Sequence, residues 1–189
     1  MSLVLASASP RRAELLRQVG IPFEIIEPGI VEKPDYTLLL PEMVIGLARH
    51  KALAVSARLE QGIVLAADTI VLYRGKILGK PRDREDARCM LRLLSGDAHQ
   101  VLTGVILVDA ATGKDESGLS VTKVWMKELS EKVIYTYVGS SEPLDKAGAY
   151  GIQGKAALFV EKIEGCYFNV VGLPLSLFYD LTKRMNLEI

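Results

Sequence analysis

Cysteine and histidine are scarce: 189 residues hold two of each. Cys89 and Cys166 lie far apart without metal-ligand spacing, so a zinc ribbon or a disulfide framework is not expected, and both read as reduced thiols. Net charge is absent as well. Lys and Arg number 23, as do Asp and Glu, so no overall field draws the protein to nucleic acid or to an anionic membrane. No apolar stretch nears the roughly 20 residues of a membrane span, and no basic-then-apolar leader opens the chain. The expectation is a cytoplasmic protein with no nucleic-acid and no membrane partner. Internal repeats, low-complexity tracts and long linkers are also missing. With 49% hydrophobic and 24% charged residues, the composition is ordinary for a globular protein.

What the chain does have is one long apolar run broken once by a carboxylate, from Ile63 to Leu72, with Asp68 beside Thr69. Its β-branched residues and the turn pair Arg74-Gly75 predict a strand and hairpin, resuming at Lys76-Ile77-Leu78. An ionised aspartate in such a run is costly unless paired. A lone Asp of this kind would usually tie down a loop at a strand end. The rest of the chain, however, supplies cations, a second carboxylate and a helix start suited to phosphate, which makes Asp68 the expected centre of a site.

Leu3 to Ala6 predicts a short strand. Ser9 is a fitting N-cap for the helix that follows, Pro10 suits its first position, Leu15, Leu16 and Val19 form one face, and Gly20 closes it. Arg11 and Arg12 sit in the first turn, where each cation costs on the order of 0.3–1 kcal/mol against the helix dipole. A phosphate bound there would reverse that sign, since backbone N–H groups and guanidinium forks would face the same anion. The blander alternative is that both arginines face solvent or pair with an acid. Phe23 to Ile26 reads as a strand, and residues 28–34 as a loop presenting Glu32. A helix from about Pro41 carries the stripe Val44, Leu47, Ala48 and Val55 with Lys51 on the same face, so Lys51 must snorkel or reach an anion. Lys80 lies in the turn before a helix that starts near Asp83 and buries Ala87, Met90, Leu91 and Leu94. Residues 100–108 and 119–126 predict two strands, with Trp125 read as core or inter-lobe packing, and residues 130–137 a short helix. Residues 159–171 read as a hairpin around Glu164-Gly165, followed by a final helix with Leu175, Phe178 and Leu181 facing in. The irregular order of elements predicts a mixed α/β fold with a twisted sheet and flanking helices.

The late block Glu142-Pro143-Leu144-Asp145-Lys146-Ala147-Gly148-Ala149-Tyr150-Gly151-Ile152-Gln153-Gly154 is not a plain connector. Its small residues let backbone approach a ligand, while Lys146 and Gln153 offer a cation and an amide. Together with Ser-Ala-Ser-Pro-Arg-Arg, Ala-Arg-His-Lys-Ala, Ala-Asp-Thr, Gly-Lys-Pro and Asn-Val-Val-Gly-Leu-Pro, this block resembles the Maf, or septum-formation, nucleoside triphosphate pyrophosphatases, in order over nearly the whole chain. The resemblance implies a single domain over residues 1–189 with an elongated two-lobed α/β fold, similar to the inosine triphosphate pyrophosphatases, and a nucleotide in the cleft between lobes. It implies that Asp68 is the proton acceptor and that Glu32 and Asp68 hold a divalent metal, Mg or Mn. Where the family often has paired acids at that loop, Val31 precedes Glu32.

The expected reaction splits a nucleoside triphosphate between its α and β phosphates. Asp68 takes a proton from the attacking water, and Arg12, Lys51 and Lys80 neutralise the phosphates, with Ser9 and Lys146 also placed at the substrate. Gly79-Lys80-Pro81 lacks the hydroxyl of a P-loop, which argues against an ordinary ATPase or kinase. In members this chain resembles, residues matching Arg11, Thr69 and Gln153 accompany preference for dTTP and UTP. Gln153 can match a pyrimidine edge of either kind, whereas Arg11, a donor only, suits the 4-carbonyl of uracil or thymine. The alternatives are a non-hydrolytic nucleotide-binding regulator of cell division and an enzyme acting on deaminated purines. A small-molecule nucleoside triphosphate is the expected partner, and a homodimer is left open.

Overall fold

Apolar runs set the sheet. Leu3–Leu5 (β1) is buried at every residue and lies between two parallel neighbours, Glu24–Ile25 (β2) and Ile63–Tyr73 (β3). A near-continuous apolar sequence is what an interior parallel strand requires. β3 then turns through Arg74 and Gly75, both at positive φ (47° and 78°), into antiparallel Lys76–Leu78 (β4). Two left-handed residues match the twist of the flanking strands. With Ala98–Asp109 (β5), Asp115–Met126 (β6) and Val160–Glu164 (β7), the strands form one mixed sheet of order β2-β1-β3-β5-β6-β7, β4 lying beside β3. The helices are Pro10–Gln18 (α1), Leu40–Ser56 (α2), Arg84–Leu94 (α3), Glu131–Gly139 (α4), Tyr167–Val171 (α5) and Leu175–Arg184 (α6). This computed structural model describes residues 2–31, 34–140 and 142–188. The expected mixed α/β fold is what it contains, and among the described residues no helix is long and apolar enough to cross a membrane.

The chain divides into two compact units, one of residues 1–68, 103–120 and 172–189, the other of residues 69–102 and 121–171. In the first, Val4 of β1, Ala6 just after it, and Val64 and Ala66 of β3 meet Ala48, Ala52 and Val55 of α2, with Ile106 and Val108 of β5. Gly104 in β5 makes the close approach possible: a Cβ there would stand 2.8 Å from the Val44 carbonyl oxygen and 3.0 Å from Ile45 Cα. α1 begins as expected, after extended Ser9 and with Pro10 leading. Its buried face is Arg12, Ala13, Leu15 and Leu16. Val19, expected on that face, is 48% exposed. The helix stops at Gln18, and Gly20 (φ 71°) turns the chain so that Val19 leaves the helical phase.

In the second unit, Ala87, Leu91 and Leu94 of α3 pack with Ile134, Tyr137 and Val138 of α4 and with Val71, Val124 and Phe159. α3 is capped where the sequence indicates: the Asp83 carboxylate accepts the Asp86 N–H at 2.8 Å, and Asp86 accepts the Arg82 N–H at 3.0 Å. Three expectations change, two of them in this unit and one in the first. The hairpin over 159–171 has only its first arm, β7; the second is helix α5. At the corner Gly165 has φ 123° and lies so close to Val121 and Thr122 that a Cβ would clash. The chain beyond it is held in place because Thr122 Oγ1 accepts the Cys166 N–H at 3.0 Å and Asn169 Nδ2 donates to Thr122 Oγ1 and to the Val101 carbonyl, each at 2.9 Å. The strand at 23–26 shrinks to two exposed residues at a sheet edge. Trp125 is not core: it is half-buried, with the Lys123 and Lys162 ammoniums each 4.7 Å from its ring.

Replacing Gly104 with Ala should cost about 1–3 kcal/mol by forcing α2 off β5. Gly139→Ala, with nothing within 4 Å of the new methyl, should be neutral or stabilise by less than about 1 kcal/mol. Urea denaturation of the two variants checks this; equal effects would show that α2 and β5 separate at little cost.

Candidate functional site

The acid and the lysine singled out in the sequence meet. Asp68 of β3 is 5% exposed and Lys51 of α2 is 7% exposed, and Lys51 Nζ lies 2.5 Å from Asp68 Oδ1. Local sequence explains the burial. Lys51 shares its helix face with Ala48 and Ala52, both fully buried, and these small side chains leave its stem room to run along the face. Ala66, two residues before Asp68 and so on the same face of β3, does the same. Lys51 therefore does not snorkel; its charge turns inward onto a carboxylate. A buried pair of this kind is costly to desolvate and more costly to break, since one partner alone would be an uncompensated buried charge.

Arg12 is 9% exposed. Its Nε donates to the Gly172 carbonyl at 2.8 Å and its Nη1 to Ser7 Oγ at 3.1 Å. Ser7 Oγ also accepts the Ser9 N–H at 3.1 Å, and the Ser9 side chain, expected as the helix cap, makes no cap bond. The cation at the start of α1 is thus oriented by the turn before the helix and by the segment before α6. Arg11, half-buried, points about 100° away around the helix. Sequence reading missed Ser7 and Gly172. Ser7 had a signal, as one of two serines flanking the turn ahead of the arginines; Gly172, 160 residues on, lies in the Asn-Val-Val-Gly-Leu-Pro motif, but nothing in that motif pointed to its carbonyl meeting Arg12.

Thr69 follows Asp68 in β3 and is partly exposed; Lys80, in the turn after β4, is exposed. That turn is tied to the glycine-rich loop, because the Gly148 N–H donates to the Gly79 carbonyl at 3.1 Å. Gly148 (φ 69°) lies against Val71 with no room for a side chain. Lys146 is engaged within its own loop, Nζ donating to the Glu142 carbonyl and to Asp145 Oδ1, each at 2.6 Å. Gln153 is exposed on the turn that follows. Beneath the loop His99 Nε2 and the Tyr150 hydroxyl are 2.7 Å apart, with the rings edge to face. Burial pushes His99 down to about 4 against the opposing pull of Asp97, so it is neutral at physiological pH. Burial likewise raises the Tyr150 hydroxyl, which stays protonated.

Glu32 lies outside the described residues. Among those described, no group of three or more His, Cys, Asp or Glu side chains could hold a metal. A Mg²⁺-type ion needs less, one or two carboxylates with the remaining oxygens from water and substrate phosphate. Asp68, a hard oxygen donor, fits an ion that arrives with a nucleotide rather than one held in an all-protein cage.

The chain thus presents a buried acid on β3 paired with a lysine on α2 in a mixed α/β fold. Residues 2–185 match the model of the Maf-like proteins, and the chain belongs to that family. The dTTP/UTP pyrophosphatase of Carboxydothermus hydrogenoformans is 52% identical over 179 residues, 95% of this chain and 96% of that one. The proteins of the same name from Alkaliphilus oremlandii (53%; 92% and 90% covered) and Pelotomaculum thermopropionicum (48%; 99% and 98%) are similar to it over comparable lengths. The solved structure of the Staphylococcus aureus Ham1 protein is 14% identical, covering 67% of this chain and 72% of its own at a TM-score of 0.45, a match too loose to assign anything.

Lys51→Met should destabilise by about 3–5 kcal/mol by leaving the Asp68 carboxylate buried without its ammonium, and Lys51→Met with Asp68→Asn should recover part of that loss. A denaturant double-mutant cycle reads the coupling; additive losses would remove the pair from the stability of the fold. His99 makes stability pH-dependent. Its folded value lies below the unfolded one of about 6.5, so the unfolded chain binds the proton more readily. The contribution is complete above about pH 6.5 and declines as pH falls toward 4, by on the order of 3 kcal/mol. His99→Gln should flatten that decline in denaturation curves taken between those limits.

Proposed function

We propose that this chain is a dTTP/UTP pyrophosphatase, hydrolysing its substrate to the nucleoside monophosphate and pyrophosphate. The observation that carries the reading is the buried Asp68–Lys51 pair, found in a chain about half identical, end to end, to proteins of that name. Water attacks the α-phosphorus, the bond to the α–β bridging oxygen breaks, and pyrophosphate leaves with the electron pair. Asp68 accepts the water's proton. Arg12, pre-oriented by Ser7 and Gly172, and the lysines Lys51 and Lys80 offset the charge that builds on the phosphates, with Ser9 and Lys146 adding polar contacts. A divalent ion, Mg²⁺ or Mn²⁺, held by Asp68 and Glu32 together with the phosphates, would supply further charge neutralisation. Arg11, Thr69 and Gln153 recognise the base. Gln153 reads a pyrimidine edge, and Arg11, having only donors, favours a 4-carbonyl over the 4-amino group of cytosine. A regulator that binds nucleotide without turnover would have use for Asp68 as a metal ligand but none for it as a proton acceptor.

Pyrophosphate release measured over dTTP, UTP, CTP and GTP, with and without added Mg²⁺, tests the activity. dTTP and UTP should exceed CTP in kcat/KM by about ten- to a hundredfold, the cost of one mismatched buried polar group, and GTP should be poor. CTP or GTP turned over as well as UTP would sink the base assignment. Asp68→Asn should lower kcat by roughly 10²–10⁴-fold while nucleotide binding persists. Near-normal turnover by that variant would return Asp68 to a structural role.

A further inference from the structure

Glu142 does more in the glycine-rich loop than a surface turn requires. Its Oε1 accepts the Tyr137 hydroxyl at 3.0 Å, and its Oε2 accepts the Lys155 N–H at 3.2 Å. The Tyr137 oxygen in turn accepts the Gly151 N–H at 3.2 Å. Between these two bonded ends lies the turn Gly151-Ile152-Gln153-Gly154, closed on itself by the Gly154 N–H donating to the Gly151 carbonyl at 3.0 Å. One tyrosine–glutamate pair therefore holds both ends of the turn. Packing agrees with the bonding: a Cβ on Gly154 would overlap the Glu142 carboxylate, and one on Gly151 would stand 2.5 Å from Lys146 Cε. The Lys146 stem is itself fixed by the bond from its ammonium to the Glu142 carbonyl.

Exposure separates the residues of the turn by role. Ile152 is 8% exposed and Ala156 fully buried, which seats the turn on the core, while Gln153 is exposed. Tyr137 is 3% exposed, and burial, with Glu142 adding to it, raises its hydroxyl. The hydroxyl is thus a permanent donor to Glu142 and a permanent acceptor for Gly151. A clamp of this kind is more than a loop needs to reverse direction, since the Gly151–Gly154 bond alone would do that. It suits a turn whose outward side chain has to be held in one place, because a hydrogen bond from an amide weakens steeply when its angle or length is off.

We propose that Tyr137 and Glu142 are positioning residues for Gln153, fixing the turn from which its amide meets the pyrimidine edge of the substrate. This rests on the reading of Gln153 as a base contact. Neither Tyr137 nor Glu142 touches the nucleotide; both act through Gln153. Tyr137→Phe removes the oxygen that serves Gly151 and Glu142 at once. Glu142→Gln keeps the shape but cannot accept at both positions, because its amide nitrogen is a donor facing either the Lys155 N–H or the Tyr137 hydroxyl.

The measurement is the ratio of kcat/KM for UTP to that for GTP, in the wild type, Gln153→Ala, Tyr137→Phe, Glu142→Gln and the double variant Tyr137→Phe/Gln153→Ala. Gln153→Ala, Tyr137→Phe and Glu142→Gln should each lower the ratio about tenfold, the worth of roughly one hydrogen bond to the base, chiefly by raising KM for UTP. The double variant should fall no further than Gln153→Ala alone. If Gln153→Ala leaves the ratio unchanged, the base-contact reading fails and the proposal with it. If Gln153→Ala lowers the ratio while Tyr137→Phe and Glu142→Gln lose only thermal stability or lose activity equally on both nucleotides, the base contact stands and the clamp is overturned.

Discussion

An ammonium and a carboxylate 2.5 Å apart, both shut away from solvent, set the terms for the first unit of this protein. Lys51 can turn inward only because Ala48 and Ala52 keep the helix face around it narrow, and α2 can lie close enough to the sheet only because Gly104 has no side chain. Two apolar residues in place of the pair would stabilise the fold as well or better, since burying opposite charges is at best a small net gain. Stability alone therefore does not account for Lys51 and Asp68. The roles proposed above, Asp68 as proton acceptor and Lys51 as a cation beside the phosphates, would account for them.

Arg12 extends the same logic along the chain. A guanidinium at a helix start opposes the helix dipole, yet here it is almost buried, bonded to Ser7 and to the Gly172 carbonyl. These bonds restrict its orientation, which would leave less side-chain entropy to be lost in the anion binding proposed for it. In the second unit the organising work is done by the backbone. Gly148 has a positive φ (69°) and lies tight against Val71, the Lys146 and Glu142 side chains stand where a Cβ on Gly151 or Gly154 would go, and the loop is bonded to Tyr137, Glu142 and the Gly79 carbonyl. A glycine-rich stretch, usually taken as permissive, is here closely held.

Much of this was readable in one dimension. The apolar run with one acid at Asp68, the stripe with one lysine at Lys51 and the Asp83 cap are local patterns that appear in the structure where their period or cap chemistry places them, and the Ser-Pro-Arg-Arg helix begins where expected although the Ser9 side chain does not cap it. One misreading comes from dependence on a distant partner, another from a local helix stop. Residues 167–171 have the β-branched, aromatic character of a returning strand, but Asn169 bonds Val101 and Thr122, and those tertiary bonds hold a helix there. Val19 fits the apolar period of α1, but Gly20 ends the helix first.

By itself the sequence determined which residues carry charge and hydroxyls, where the strands and most helices begin, and which family motifs are present, because periodicity, capping and motif spacing act within about ten residues. Only the tertiary structure decided that Lys51 pairs with Asp68 rather than with solvent, that Arg12 is tethered to a carbonyl 160 residues away, and that Glu142 and Tyr137 clamp the turn bearing Gln153. Those choices depend on distances between segments remote in sequence, and such distances exist only once the sheet has brought the segments together.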